Sequence, residues 1–402
     1  MPTSGVLTTG RDIRLDLFRG LALWFIFVDH IPVNVVSWLT VRNYGFSDAT
    51  EIFVFISGYT AVIAYARMME REGWLRAGAR IWRRVWQLYV AHILLFVAFT
   101  AQIVWVSVAR DMPSLIEEME LMGLGENPYQ AILQAALLKF RPINLDVLPL
   151  YIVLLAVFPF VLPAIVRRPF AVLGASLLLY AATCRFNWNL PGYPDHKVWY
   201  FNPMAWQVVF YAGACCAVLG PQIARLDRFR LPLSMLAGLY LLFAAFIALS
   251  WQFNALGPFV PGWVARLVYP IDKTNIDILR FVHFLALAWL VRAAVPARAG
   301  FLRWRALEPL RRCGEHRRGP AHGDRAPHRA GDGDAAAGPA LATGVGGGGD
   351  HPGHVDRRRA RRVHGRSLGG QDPHALGPWF GRGCLCRARG GDADVARIHL
   401  KD

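Results

Sequence analysis

Charge is what this 402-residue chain lacks most: Asp, Glu, Lys and Arg make up 18% of it, against 54% hydrophobic residues. A soluble globular domain carries about 25% charged residues, so an ordinary water-facing surface is excluded. Mean hydropathy is +0.30, as a polytopic membrane protein requires. Cysteine is sparse and unpatterned. Cys184, Cys215, Cys216, Cys313, Cys384 and Cys386 form no disulfide framework, and Cys215 and Cys216 lie in an apolar run where a free thiol behaves as a small hydrophobe. No redox role and no metal site follow from them. A cleavable signal pattern is missing too: the first apolar run starts near Leu15 and is too long for an h-region, which predicts a retained transmembrane helix. Acid is scarcer than base, 28 Asp plus Glu against 44 Lys plus Arg, for a net charge of +16. Within the apolar part the arginines fall in short clusters between hydrophobic runs, the pattern of cytoplasmic loops, so no nucleic-acid partner is expected.

What is present is a succession of apolar runs. A helix crosses the hydrocarbon with about 20 residues, and eight stretches qualify, near 17–39, 49–66, 85–108, 147–166, 170–186, 203–219, 231–251 and 276–291. The fold class is therefore all-α, a polytopic transmembrane bundle. With a cytoplasmic N-terminus, each inner loop is basic, including Arg11, Arg14 and Arg19, the set Arg67 to Arg84, Arg167 and Arg168, Arg225 to Arg230, and Arg292 and Arg298. The outer loops are acidic or aromatic, with Glu117, Glu118, Glu120 and Glu126 in one and NWNLPGYPDHKVWYFNP in another. AILQAALLKF, residues 131–140, is too short to span and reads as an interfacial or re-entrant helix.

Residues 1–310 form this membrane domain, and residues 311–402 depart from it. The later segment holds 20 of the 37 Gly and 8 of the 12 His, and cannot bury enough apolar area to offset its ordering entropy. A disordered basic tail and an out-of-frame reading of GC-rich DNA both produce such a mixture. The abruptness of the change, without any repeat, favours the second.

Ionisable residues inside the apolar runs are the candidates for function, because each costs a few kcal/mol at bilayer depth, about 2.5–3.5 for Asp. In LDLFRGLALWFIFVDH, Arg19 lies near the inner surface and His30 about 16 Å further along the helix, with Asp29 beside it. Histidine suits general-base work near neutral pH, oriented by a carboxylate from Asp29 or from the next helix. GFSDATEIFVFISGY supplies Asp48 and Glu51, three apart on one face; a solvated N-cap also accounts for Asp48. Further polar residues in apolar context are Asn144 and Asp146, Asn202 and Gln207, and Lys273, Asn275, Asp277, Arg280 and His283. Each alone can serve as hydrogen-bonding glue between helices; together they predict a polar cavity. Outer-loop Trp188, Tyr193, Trp199 and Tyr200 suit sugar stacking, although an interfacial aromatic belt accounts for them equally.

RLDLFRGLALWFIFVDH resembles the first-helix signature of the acyltransferase-three superfamily of integral membrane acyltransferases. GFSDATEIFVFISGY, LDVLPLYIVLL, FNPMAWQVVFYAG and LRFVHFLALAWL resemble, more closely, the OpgC-type family, whose members succinylate osmoregulated periplasmic glucans. The resemblance covers residues 11 to 310 and implies ten helices in the bacterial inner membrane, two of which fall where this chain departs from the pattern. It also implies transfer of succinyl from cytosolic succinyl-CoA, with no permanently bound cofactor, to a glucan hydroxyl on the periplasmic side. His30 would be the base, with Asp29 or Glu51 orienting it. Arg19 would meet CoA phosphates and Arg280 the oxyanion or the succinyl carboxylate, while Asp48, Asn144, Lys273 and His283 would line the substrate site. An O-acetyltransferase of another surface polysaccharide or lipid, and an ion-coupled transporter, are the alternatives.

Overall fold

The computed structural model describes residues 12–253, 255–295 and 299–314. Helices α1 (Ile13–Asp29), α2 (Ala49–Glu72) and α3 (Trp74–Ala109) lead into three short ones, α4 (Ser114–Glu118), α5 (Met122–Glu126) and α6 (Pro128–Ala136). Then come α7 (Val147–Arg167), α8 (Pro169–Phe186), α9 (Pro203–Val218), α10 (Gly220–Arg225) and α11 (Arg230–Gln252), followed by α12 (Gly262–Val268), α13 (Ile278–Ala294) and α14 (Glu308–Gly314). Among the described residues there is no strand, only two isolated bridges, Phe140 with Tyr193 and Pro191 with Val198. The fold is an all-α bundle.

Among the described residues five segments are long and apolar enough to cross a membrane: α2, α3, α7, α8 and the stretch Gly220–Gln252 that contains α11. The chain is a multi-pass membrane protein. The other three expected spans are α1, α9 and α13, of 17, 16 and 17 residues, near the lower limit of about 17 for a crossing. Expected element 131–140 is realised as α6, which Asn127 caps through its side chain and Pro128 starts. Helix α14 runs across residue 310, where the membrane domain was expected to end; the expected tail beyond Gly314 lies outside the described residues.

One boundary requires correction. The first helix was expected to reach Leu39 and stops at Asp29, after which the chain turns through two 3-10 segments, Val35–Leu39 and Val41–Tyr44. Pro32 explains the stop, since its ring would collide with the carbonyl of Val28 and it has no N–H to donate. Asn34 completes it, donating through Nδ2 to the freed carbonyls of Val28 (3.0 Å) and Ile31 (2.6 Å).

Helix α9 forms the centre of the bundle, with thirteen of its sixteen residues buried. It packs against α2 at two glycines: a Cβ on Gly58 would strike the Phe210 carbonyl, and one on Gly213 would strike the Phe55 carbonyl. Small residues let helix backbones meet where lipid supplies no hydrophobic drive. Outward faces of α3, α8 and α11 stay apolar, with Trp105, Leu178, Leu236, Leu239 and Leu242 all exposed, as a lipid-facing surface needs. Arginines join several helix ends at one end of the bundle. Arg14 on α1 donates to the Val295 carbonyl (3.2 Å), Arg230 on α11 to the Ala293 carbonyl (2.6 Å), and Arg292 on α13 grips Asp227 with both Nη1 (2.7 Å) and Nη2 (2.9 Å).

Candidate functional site

At the opposite end of the bundle, α2 begins with a capping box. The Asp48 carboxylate accepts from the Thr50 N–H (2.8 Å), and Glu51 Oε2 accepts from the Asp48 N–H (2.9 Å). Each carboxylate has a second oxygen left for a cation. Glu51 Oε1 lies 2.8 Å from Nε and 2.6 Å from Nη2 of Arg280, one turn into α13; Asp48 Oδ2 lies 3.2 Å from the same Nη2 and 2.6 Å from Lys273 Nζ. Glu51 is fully buried and Arg280 is 3% exposed, whereas the Lys273 side chain is 27% exposed and forms the outer rim. Two acids and two bases make the quartet neutral, the condition under which buried charges persist. Burial opposes ionisation of Asp48, but Lys273 and Arg280 overrule it and hold its carboxyl well below the ordinary carboxylate range.

A second layer fixes the Lys273 loop. Trp206 Nε1 donates to the Lys273 carbonyl (3.0 Å), while Asn202 donates from its backbone to Thr274 (3.1 Å) and from Nδ2 to Asn275 Oδ1 (2.8 Å). The Lys273 ammonium also stands 5.5 Å from the Phe201 ring centroid. The sequence placed these polar residues in five segments, and four of the site candidates, Asp48, Glu51, Lys273 and Arg280, meet here.

The two histidines differ in kind. His283 is 3% exposed and its Nδ1 accepts from the Ser47 N–H (3.3 Å) and contacts Ser47 Oγ (2.7 Å), so the hydrogen-bond network assigns the ring proton to Nε2. That nitrogen lies buried against Gly45 with no partner among the described residues. His30, expected at mid-membrane, is instead exposed at the C-terminus of α1, because Pro32 ends the helix there. Its Nδ1 lies 2.5 Å from the Ile26 carbonyl, which only accepts, so Nδ1 carries the proton and Nε2 keeps a free lone pair.

The expected orienting carboxylates do not bond His30. Asp29 accepts from Thr40 Oγ1 (2.7 Å), its backbone carbonyl accepts from Arg42 Nη1 (3.1 Å), and Glu51 is committed to Arg280. Arg19 lies on α1 toward the arginine-bearing end, with Nη2 bonded to Thr60 Oγ1 and Nη1 to the Gly314 carbonyl (3.2 Å). Asn144 sits exposed in a turn at φ 74°, apart from the quartet. Among the outer aromatics, Tyr200 and Trp188 are each 47% exposed, whereas Trp199 is buried under Arg141, whose guanidinium carbon stands 4.2 Å from the ring centroid.

Arg141 escaped the sequence reading. Its Nε donates to Asp146 Oδ1 (3.0 Å) across a loop, at a separation no helical periodicity flags. Burial raises the Asp146 carboxyl to about 6 despite Arg141, and lowers the Arg141 guanidinium. His92 on α3 was also missed, although a histidine inside the apolar run LYVAHILLF is a plain signal; it is fully buried, with neither ring nitrogen partnered among the described residues.

No curated protein and no solved structure matches the chain. A family model described as "OpgC protein" matches residues 11–317, which include every residue of the quartet and both histidines. By that match, over about three-quarters of its length, the chain belongs to the OpgC protein family.

Proposed function

We propose that the protein is an OpgC-type integral-membrane O-acyltransferase that moves a succinyl group from cytosolic succinyl-CoA to hydroxyls of a periplasmic glucan. The family match over residues 11–317 carries the reading. The reading has it in a bacterial inner membrane with the N-terminus inside, and the arginine-bearing helix ends, which the positive-inside rule favours on the cytoplasmic side, support that orientation. The quartet and His30 then face the periplasm, and Arg19 lies toward the donor.

His30 is the general base of this proposal. A glucan hydroxyl oxygen attacks the thioester carbonyl while its proton passes to His30 Nε2. The tetrahedral intermediate then collapses to the ester, and the departing CoA thiolate takes the proton back from the imidazolium. His283 is unsuited to that part, because its Nδ1 lone pair is occupied by Ser47 and its Nε2 is protonated and buried. Arg19 supplies a charge-assisted donor to CoA phosphates, and the pantetheine arm runs along α1 over the roughly 16 Å to His30. Lys273 lines the acceptor side.

One observation favours a second reading. Arg280 gives Nε and Nη2 to Glu51 and Asp48, so the quartet offers no uncommitted guanidinium edge of that kind for a succinyl carboxylate, which suits an uncharged acetyl group. The purified protein, reconstituted in vesicles with glucan, tests both. Ester formation from succinyl-CoA at several times the rate from acetyl-CoA supports the first reading, the reverse preference supports O-acetyl transfer, and no ester from either removes both.

A further inference from the structure

The arginine-bearing end holds a cleft of about 710 Å³ between the start of α11 and the end of α13, far from the quartet. Its apolar lining is made by Leu231, Leu290 and Ala294. The rim is cationic, with Arg228 and Arg230 at the lip, while the one acid there, Asp227, is already held by Arg292. Arg230 makes its hydrogen bond to a neutral carbonyl, that of Ala293, and Arg228 lies over the Phe229 ring, 4.6 Å from its centroid. Among the described residues neither forms a salt bridge, and although Asp227 is within electrostatic reach of Arg230 as well as bonded to Arg292, three arginines against one acid leave the cleft with a net positive charge.

Arg280 and Arg292 are twelve residues apart on α13, about 18 Å along its axis, which puts the cleft and the quartet toward opposite ends of the bundle. A ligand here must be anionic at the head and apolar below it. Basic pockets between transmembrane helices on the cytoplasmic side take phospholipid head groups. We propose that this cleft is a binding site for an anionic phospholipid of the inner leaflet, its phosphate between Arg228 and Arg230 and the upper part of an acyl chain along Leu231 and Leu290. This rests on the orientation given above and not on acyl transfer.

The full chain is placed in nanodiscs of phosphatidylcholine alone or with increasing phosphatidylglycerol, and its thermal unfolding is followed. Phosphatidylglycerol raises Tm of the parent, and the concentration giving half the effect rises about fivefold for each arginine removed, in Arg228→Gln and again in the double variant with Arg230→Gln. Arg228 makes no hydrogen bond to the backbone among the described residues, so the single variant is decisive if the double variant fails to fold. His30→Ala keeps the full lipid effect, which separates this site from the acyltransferase reading. An unchanged lipid response in Arg228→Gln overturns the proposal. So does a Tm rise with CoA or inorganic phosphate in phosphatidylcholine nanodiscs that the same variant abolishes, since a soluble phosphate would then be the occupant.

Discussion

Glu51 and Arg280 show what a buried charge requires. Glu51 satisfies one oxygen with the Asp48 N–H and the other with the guanidinium, so neither side chain is left with an unpaired charge. Glu51→Ala strands Arg280 with only Asp48, and the expected cost is about 3–5 kcal/mol, read as a fall in Tm in detergent. Replacing both, with Glu51→Leu and Arg280→Met, should cost clearly less than the sum of the single changes, because the stranded charge disappears with its partner. Asp146 predicts a pH effect of defined sign. Its carboxyl titrates near 6 when folded against 3.8 ordinarily, so the folded protein holds the extra proton and this contribution to stability is lost as pH rises from about 4 to 6. Asp146→Asn should remove that part of the Tm-against-pH profile. Asp48 has the opposite sign, stabilising above the ordinary carboxylate range and losing that contribution as pH falls below it. Asp48 and Glu51 were visible in the sequence as acids, and Arg280 as a base, in apolar context. Their pairing was not, since Arg280 lies 229 residues from Glu51 and only the tertiary fold brings it there.

Among the elements, the apolar runs announced themselves, because length and composition alone decide whether a helix can cross hydrocarbon. Helices α2, α7, α8, α9 and α11 start within a residue or so of where those runs begin, while α3 starts eleven residues early because its arginine-rich first turns are helical too. The end of α1 was legible and outweighed: Pro32 marks a stop, but the hydrophobicity of Ile31 to Leu39 suggested a full-length span. That one boundary decides whether His30 is a buried helix residue or an exposed C-terminal one. The seam between α2 and α9 is a property of glycine spacing that periodicity does not disclose. Gly58→Ala and Gly213→Ala each drive a methyl into a backbone carbonyl of the facing helix, and both should abolish recovery of folded protein from membranes. Gly78→Ala is the control. Its Cβ would meet only the Pro159 Cβ at 3.7 Å, so expression and Tm should hold or rise slightly, since alanine is the better helix former.

In the whole molecule, a neutral buried quartet and an exposed histidine stand at one end of the bundle and arginine-held helix ends at the other. The central claim is that His30, with its proton fixed on Nδ1 and its Nε2 free, is the base for acyl transfer, while His283 is a strut beneath the start of α2. The direct test is the rate of glucan ester formation by the reconstituted protein as parent, as His30→Ala and as His283→Asn, whose side-chain oxygen can replace Nδ1 as the acceptor for Ser47. Each is first shown by its unfolding profile to be inserted and folded. The expected result is a loss of about 100-fold or more in His30→Ala, as for removal of a general base, with His283→Asn within a few-fold of the parent. A folded His30→Ala protein that keeps most of the parental rate would contradict the account.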